Sequence, residues 1–174
     1  MVDSYDAVVY DLDGTLVRLA VDWEETAEQI RPIIRQYGGD ADADDALDFL
    51  PIADEIGATE EIEPYLASAE RDGACQSERL PVMDELVEST VPVGICSLNC
   101  EAACRDALDV HDISKDVGAI VGRDSVTERK PHPKPLLAVI NELGAVPERT
   151  LFIGDSDSDE VTARRAGTAF RRVS

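Results

Sequence analysis

Short apolar runs alternate with helix-period segments along this chain, and that alternation restricts its fold more than any other feature. Residues 5–11 (YDAVVYD) are β-branched and apolar and give way to acids and a glycine, as a buried strand does. Similar runs recur at 91–96 (VPVGIC), 119–122 (AIVG), 150–154 (TLFIG) and, more weakly and therefore at an edge, 168–173 (TAFRRV). Between them the spacing of apolar residues predicts helices over 77–89, 100–109, 134–143 and 157–166. Strands alternating with helices need crossover connections. The expected fold is therefore α/β, three-layered, with a mainly parallel five-stranded sheet and helices on both faces.

Residues 18–76 break the alternation, with helical patterns and no convincing strand. Asp22 followed by Glu25 reads as an N-cap and its capping-box partner, opening a helix at Trp23 that Gly38 and Gly39 end. A second helix is expected over 43–56, stopping at Gly57. Thr59 is placed to cap a third that runs to Asp72 and Gly73. Pro32, Pro51 and Pro64 blur the helix ends. The organisation expected is a core of residues 1–17 and 77–174, interrupted after its first strand by a small all-helical insertion at 18–76. No internal repeat or low-complexity segment is present.

Chemistry concentrates where strands end. Asp11-Leu12-Asp13-Gly14-Thr15 follows the first strand, at the C-terminal edge where open parallel sheets place their ligands. Residues two apart on a strand point the same way, so Asp11 and Asp13 are expected to face one spot, with Gly14 allowing the sharp turn. Carboxylates so close repel unless one is protonated or a cation lies between them, and magnesium, a hard cation with oxygen ligands, answers that need. An ordinary acidic turn is the competing reading. A second acidic run, at 153–159 (IGDSDSD), joins a strand to a helix. One helix cap needs one acid, and here there are three. Asp155 comes first and is placed to converge on the cation of Asp11. Asp157 reads as solvated or capping, and Asp159 as a residue that orients a lysine or a metal-bound water. Ser97 offers a hydroxyl after the run at 91–96, with Asn99 the expected N-cap of the next helix. Lys130, in RKPHP, is one of only three lysines and is held in a proline-stiffened loop, a fixed cation of the kind phosphate needs. Lys134 is the second candidate.

In this order, the DLDGT of 11–15, Ser97 after a strand, the KPHP of 130–133 and the GDSDSD of 154–159 resemble the haloacid dehalogenase superfamily, in particular its phosphoglycolate-phosphatase-like members. The likeness runs over essentially the whole chain. It implies a Rossmann-like core with a helical cap at 18–76 and a magnesium-dependent phosphatase acting on a small phosphorylated metabolite. By that resemblance Asp11 is the nucleophile and a metal ligand. Asp13 is the general acid and base, and its backbone carbonyl also contacts the metal. Asp155 is a further ligand and Asp159 supports the site. Ser97 and Lys130 hold the phosphoryl group, while Gly14 and Thr15 shape the loop beneath it. Leu98 stands between Ser97 and Asn99, where many relatives have asparagine directly after the serine, and the short cap implies broad specificity. A dehalogenase has no need of Asp13 as proton donor. A phosphonatase commonly uses a cap lysine, and 18–76 has none. The alternatives that stay open are a phosphomutase and a non-enzymatic phospho-receiver or magnesium-phosphate-binding module.

Charge sets the surroundings. With 37 acidic against 16 basic residues the formal charge is -21, which repels nucleic acid and anionic membranes. No basic stretch followed by an apolar one opens the sequence, and no apolar run reaches the length of a membrane span, so a cytoplasmic protein is expected, a monomer or small homo-oligomer. Cys75, Cys96, Cys100 and Cys104 lack zinc-site spacing and are expected to be buried free thiols. Acids spread along a chain so poor in lysine suit a salt-filled cytosol such as that of a halophilic archaeon, where the Debye length falls to about 3 Å at 1 M salt. Melting temperature measured from dilute buffer into molar potassium chloride is expected to rise steadily, and a flat response defeats the salt reading.

Overall fold

The computed structural model describes residues 4–173; positions 1–3 and 174, at the outer ends of the expected core, lie outside the described residues. In chain order the first half contains β1 (Ala7–Tyr10), β2 (Val17–Arg18), α1 (Trp23–Gln36), α2 (Phe49–Ile56), α3 (Thr59–Cys75), β3 (Glu78–Arg79) and α4 (Val82–Val87). The second half contains β4 (Val93–Cys96), α5 (Glu101–Val110), β5 (Ala119–Val121), α6 (Lys134–Glu142), β6 (Thr150–Gly154), α7 (Asp157–Ala166) and β7 (Ala169–Arg172). Five strands form one sheet in the order β5-β4-β1-β6-β7, with every pairing parallel.

The residues of β1, β4 and β6 are buried throughout, which is why they read as unbroken apolar runs rather than alternating ones. Successive side chains still go to opposite faces. Val8 and Tyr10 of β1 join Met83, Leu86, Cys104, Ala107 and Leu108 in one apolar layer. Val9, between them, packs with Leu136, Val139, Ile140 and Ala163 on the other. Helices therefore cover both faces, as the alternation required. β7, rich in arginine, takes an edge, where charge discourages pairing with another chain.

The inserted helices build a third apolar cluster of their own, around Ile30, Ile34, Phe49, Leu50, Ile62 and Leu66. Asp22 caps α1 by accepting from the Glu25 amide at 2.9 Å, as its spacing predicts. Three local expectations are corrected. Residues 46–48 form a separate 3₁₀ turn before α2, so that Pro51 falls in the first turn of α2, where no amide donor is missed. Ala58, not Thr59, occupies the N-cap of α3; the Thr59 hydroxyl donates instead to Asp54. The helix expected over 77–89 shrinks to α4, because Glu78 and Arg79 pair antiparallel with Arg18 and Val17. That two-residue ladder ties together the chain entering and leaving the helical segment, so the segment is not purely helical at its ends. Among the cysteines, Cys96, Cys100 and Cys104 are buried as expected and Cys75 is exposed.

Tyr10 is fully buried, and its hydroxyl has no hydrogen-bond partner among the described residues. Burial, reinforced by Glu85, pushes the phenol up to about 12. Tyr10→Phe removes an unsatisfied polar group without opening a cavity, so urea unfolding is expected to show unchanged stability or a gain of up to about 1 kcal/mol. A clear loss contradicts this account of the hydroxyl.

Candidate active site

Strand register assembles the site. Tyr10 lies opposite Ile95 of β4 and Ile153 of β6, so the three strands end within one residue of one another. The ladder runs one residue further, with the Asp11 amide donating to the Ile153 carbonyl at 2.9 Å and the Ser97 amide to the Val121 carbonyl at 3.0 Å. Asp11, Ser97 and Asp155 are thus the first residues past one edge. They stand where the strand order reverses about β1, the place where open α/β sheets bind ligands.

Lys130 enters from the loop after β5. Its Nζ donates to Asp11 Oδ1 at 2.7 Å and to Asp159 Oδ1 at 2.5 Å, and all three side chains are shielded from solvent. Burial opposes the lysine's charge, but the two carboxylates outweigh it and hold the pKa above the ordinary lysine value. Asp11 moves the other way for an acid: burial raises it to about 7, Lys130 opposes the rise and Asp159 adds to it. Asp159 is fully engaged, since its Oδ2 also accepts from the Ser156 amide at 3.0 Å and hydroxyl at 2.7 Å, closing a capping box at the start of α7.

Carboxylate oxygens of Asp11, Asp155 and Asp159 lie within 4.8 Å of one another. One lysine cannot balance three acids, and among the described residues the Asp155 carboxylate accepts only a 3.4 Å bond from the Thr15 hydroxyl. The donor set, all oxygen and negatively charged, fits a hard divalent cation such as magnesium. Backbone comes unusually close here. A Cβ on Gly14, whose φ is +82°, would lie 2.3 Å from Asp155 Oδ2, and one on Gly154 would lie 2.6 Å from the Asp159 carboxyl.

Asp13 is not brought into that cluster. β1 ends at Tyr10, so the two-residue period has already lapsed, and the Asp13 carboxylate turns to accept the Leu19 amide at 2.9 Å. Its pKa is raised by burial first and by Asp155 and Glu70, in place of the expected crowding by Asp11. Asn99 is not the N-cap of α5, a position that falls to Cys100. Asn99 instead exchanges hydrogen bonds with Ser97, each at 3.1 Å. Thr15 supports Asp155 from below, Asp157 pairs with Arg172 at the surface, and Lys134 pairs with Glu128 away from the buried lysine.

Sequence reasoning missed Ser156, Glu70, Arg123 and Asp124. Glu70 accepts the amide of the α5 N-cap Cys100 at 2.9 Å, and Asp124 the first amide of α5, from Glu101, at 2.7 Å. Glu70 did leave a signal, an acid on the stripe of Ile62, Leu66 and Ala74 that α3 buries.

A parallel sheet carrying a lysine-bridged acidic centre at its switch point defines a doubly wound α/β protein whose centre holds more acid than its lysine balances. The chain belongs to the haloacid dehalogenase-like hydrolases, whose family model matches residues 74–173. It is 31% identical over 144 residues to a phosphoglycolate phosphatase of Salmonella typhimurium, a match covering 83% of this chain and 46% of that protein. The chain thus spans about half the length of the curated relatives it matches. A candidate phosphoglycolate phosphatase of Lactobacillus plantarum has a similar structure, with 27% identity and a TM-score of 0.66, covering 96% of this chain and 85% of that one. The β-phosphoglucomutase of Clostridium difficile, at 18% identity and a TM-score of 0.70 over 98% and 85%, shares the fold. Among the described residues no helix is long and apolar enough to cross a membrane.

Lys130→Met leaves Asp11 and Asp159 buried with no cation between them. In metal-free protein at high potassium chloride the expected cost is about 3–5 kcal/mol in urea unfolding. A loss near zero would show that the pair takes up a proton from solvent and shares it in place of the lysine.

Proposed function

We propose that this protein is a magnesium-dependent phosphatase that hydrolyses a small-molecule phosphate monoester through an aspartyl-phosphate on Asp11, in the manner of phosphoglycolate phosphatases. The observation that carries the reading is Asp11, held by Lys130 beside the unneutralised Asp155 at the sheet's switch point. Asp11, Asp155 and the backbone carbonyl of Asp13 would hold magnesium, since Asp159 is already committed to Lys130 and Ser156. The bound ion supplies positive charge against the phosphoryl oxygens and the crowded carboxylates.

The protein's own groups account for the rest. Asp11 attacks phosphorus, the bond to the leaving oxygen breaks, and Asp13 gives that oxygen its proton. Asp13, now a carboxylate, takes a proton from water as the water oxygen attacks the phosphorus of the aspartyl-phosphate; the bond from phosphorus to the Asp11 oxygen breaks, releasing inorganic phosphate and restoring Asp11. A raised pKa suits Asp13 to the first of these roles. Two donors of Lys130 are used by Asp11 and Asp159, leaving a third for a phosphoryl oxygen beside the Ser97 hydroxyl. Gly14 and Thr15 form the floor of the loop, and Asn99 keeps Ser97 in place. Residues 18–76 serve as a cap over a core of 1–17 and 77–174. The surface charge favours a small metabolite over nucleic acid or membrane, in a cytoplasmic monomer or small homo-oligomer. Phosphoglycolate is the first substrate to test, because the Salmonella relative bears that name.

Hydrolysis of p-nitrophenyl phosphate at high potassium chloride is expected to require magnesium and to vanish in Asp11→Asn. Asp13→Asn is expected to release one equivalent of p-nitrophenol and then turn over about 10²- to 10⁴-fold more slowly. Turnover that survives in Asp11→Asn overturns the mechanism, and phosphorylation of Asp11 without release marks a receiver.

A further inference from the structure

Arg123 is the most heavily bonded side chain outside the acidic centre, and it lies on the loop that leads from β5 to Lys130. An arginine has five N–H donors. Here Nε and Nη2 donate to Glu63 at 3.0 and 2.7 Å, Nη1 and Nη2 to Glu70 at 2.5 and 3.1 Å, and Nη1 to the Leu98 carbonyl at 2.8 Å. All five are therefore spent within the protein. Side-chain exposure is 3% for Arg123 and 0% for Glu70, against 29% for Glu63. A saturated, buried guanidinium has nothing left with which to grip a substrate.

What it grips is the turn that carries Ser97. The Leu98 carbonyl takes the Arg123 side chain, the Asn99 carbonyl takes the Arg123 amide at 2.9 Å, and the Cys100 amide goes to Glu70. Backbone groups of three consecutive residues after Ser97 are thus fixed from outside the turn. Both acids belong to α3, so the same cluster joins the inserted helices, the Ser97 turn and the loop of Lys130.

We infer that Arg123, clamped by Glu63 and Glu70, is a positioning residue that presets the Ser97 turn for a phosphoryl group and makes that preset depend on α3. The inference rests on the phosphatase reading for the role of Ser97, and it deepens that reading. Lysine cannot replace the planar fork, because three donors on one point charge cannot make the five bonds that hold two bidentate carboxylates and a carbonyl.

The test is the affinity of the magnesium-loaded protein for inorganic phosphate, measured by calorimetry at high potassium chloride, with melting temperature alongside. Glu63→Gln, at the solvent-facing side of the cluster, keeps the fold and is expected to weaken phosphate binding about tenfold, with Arg123→Lys weakening it at least as much. Arg71→Gln, which removes the exposed pair between α3 and Asp106 on α5 without touching the Ser97 turn, is expected to bind phosphate as the wild type does. Folded Glu63→Gln and Arg123→Lys proteins with wild-type phosphate affinity overturn the inference. So does equal weakening in Arg71→Gln, which would reduce the cluster to general stability. Wild-type protein that binds phosphate yet hydrolyses no ester sinks the phosphatase reading alone.

Discussion

A lysine shut away from water between two aspartates is the interaction around which the rest of this structure is arranged. Burying Lys130, Asp11 and Asp159 is costly unless each finds its partner, and the geometry supplies both contacts at 2.5 and 2.7 Å. That requirement fixes the loop after β5, the end of β1 and the start of α7 relative to one another. It explains why Asp159, though five residues beyond the strand, is wholly buried, and why Ser156 must cap α7 on the same carboxylate. Glycine at 14 and 154 follows from the same crowding, since any side chain there would strike a carboxylate.

The arrangement separates two jobs that acidic residues perform. Asp159 has spent its oxygens on protein donors and stabilises the centre. Asp155 has kept its own almost free, and Asp13 has turned aside to the Leu19 amide. Negative charge that Lys130 does not balance is thereby left beside Asp11. The helical insertion is fastened to this centre rather than hung from a loose linker. The β2–β3 ladder closes its base, and α3 continues from the apolar cluster of the insertion to a broad contact with α5.

How far the sequence foretold this depends on the range of each signal. β6 and α7 match their expected limits of 150–154 and 157–166, because an apolar run, a glycine, acids and a helical stripe follow one another within seventeen residues. Asp22 and Glu25 marked α1 for the same local reason. β2 and β3 were invisible, since two residues carry no periodicity. Asp13 was misplaced by extending strand geometry past Tyr10, where the backbone had already turned. The clamp on Arg123 was beyond reach because its partner Glu70 stands 53 residues away and only the fold brings them together.

Cys96 immediately precedes Ser97 and feels both Lys130 and Asp11, so a reactive sulfur in the middle of the chemistry is the first thing its position suggests. Burial has the larger effect and pushes its pKa up to about 12. At neutral pH the sulfur keeps its proton, and a thiol is a far weaker nucleophile than a thiolate. Cys96 packs with Val9 and Phe152 in an apolar layer and leaves the charge at this edge of the sheet to the carboxylates and the lysine.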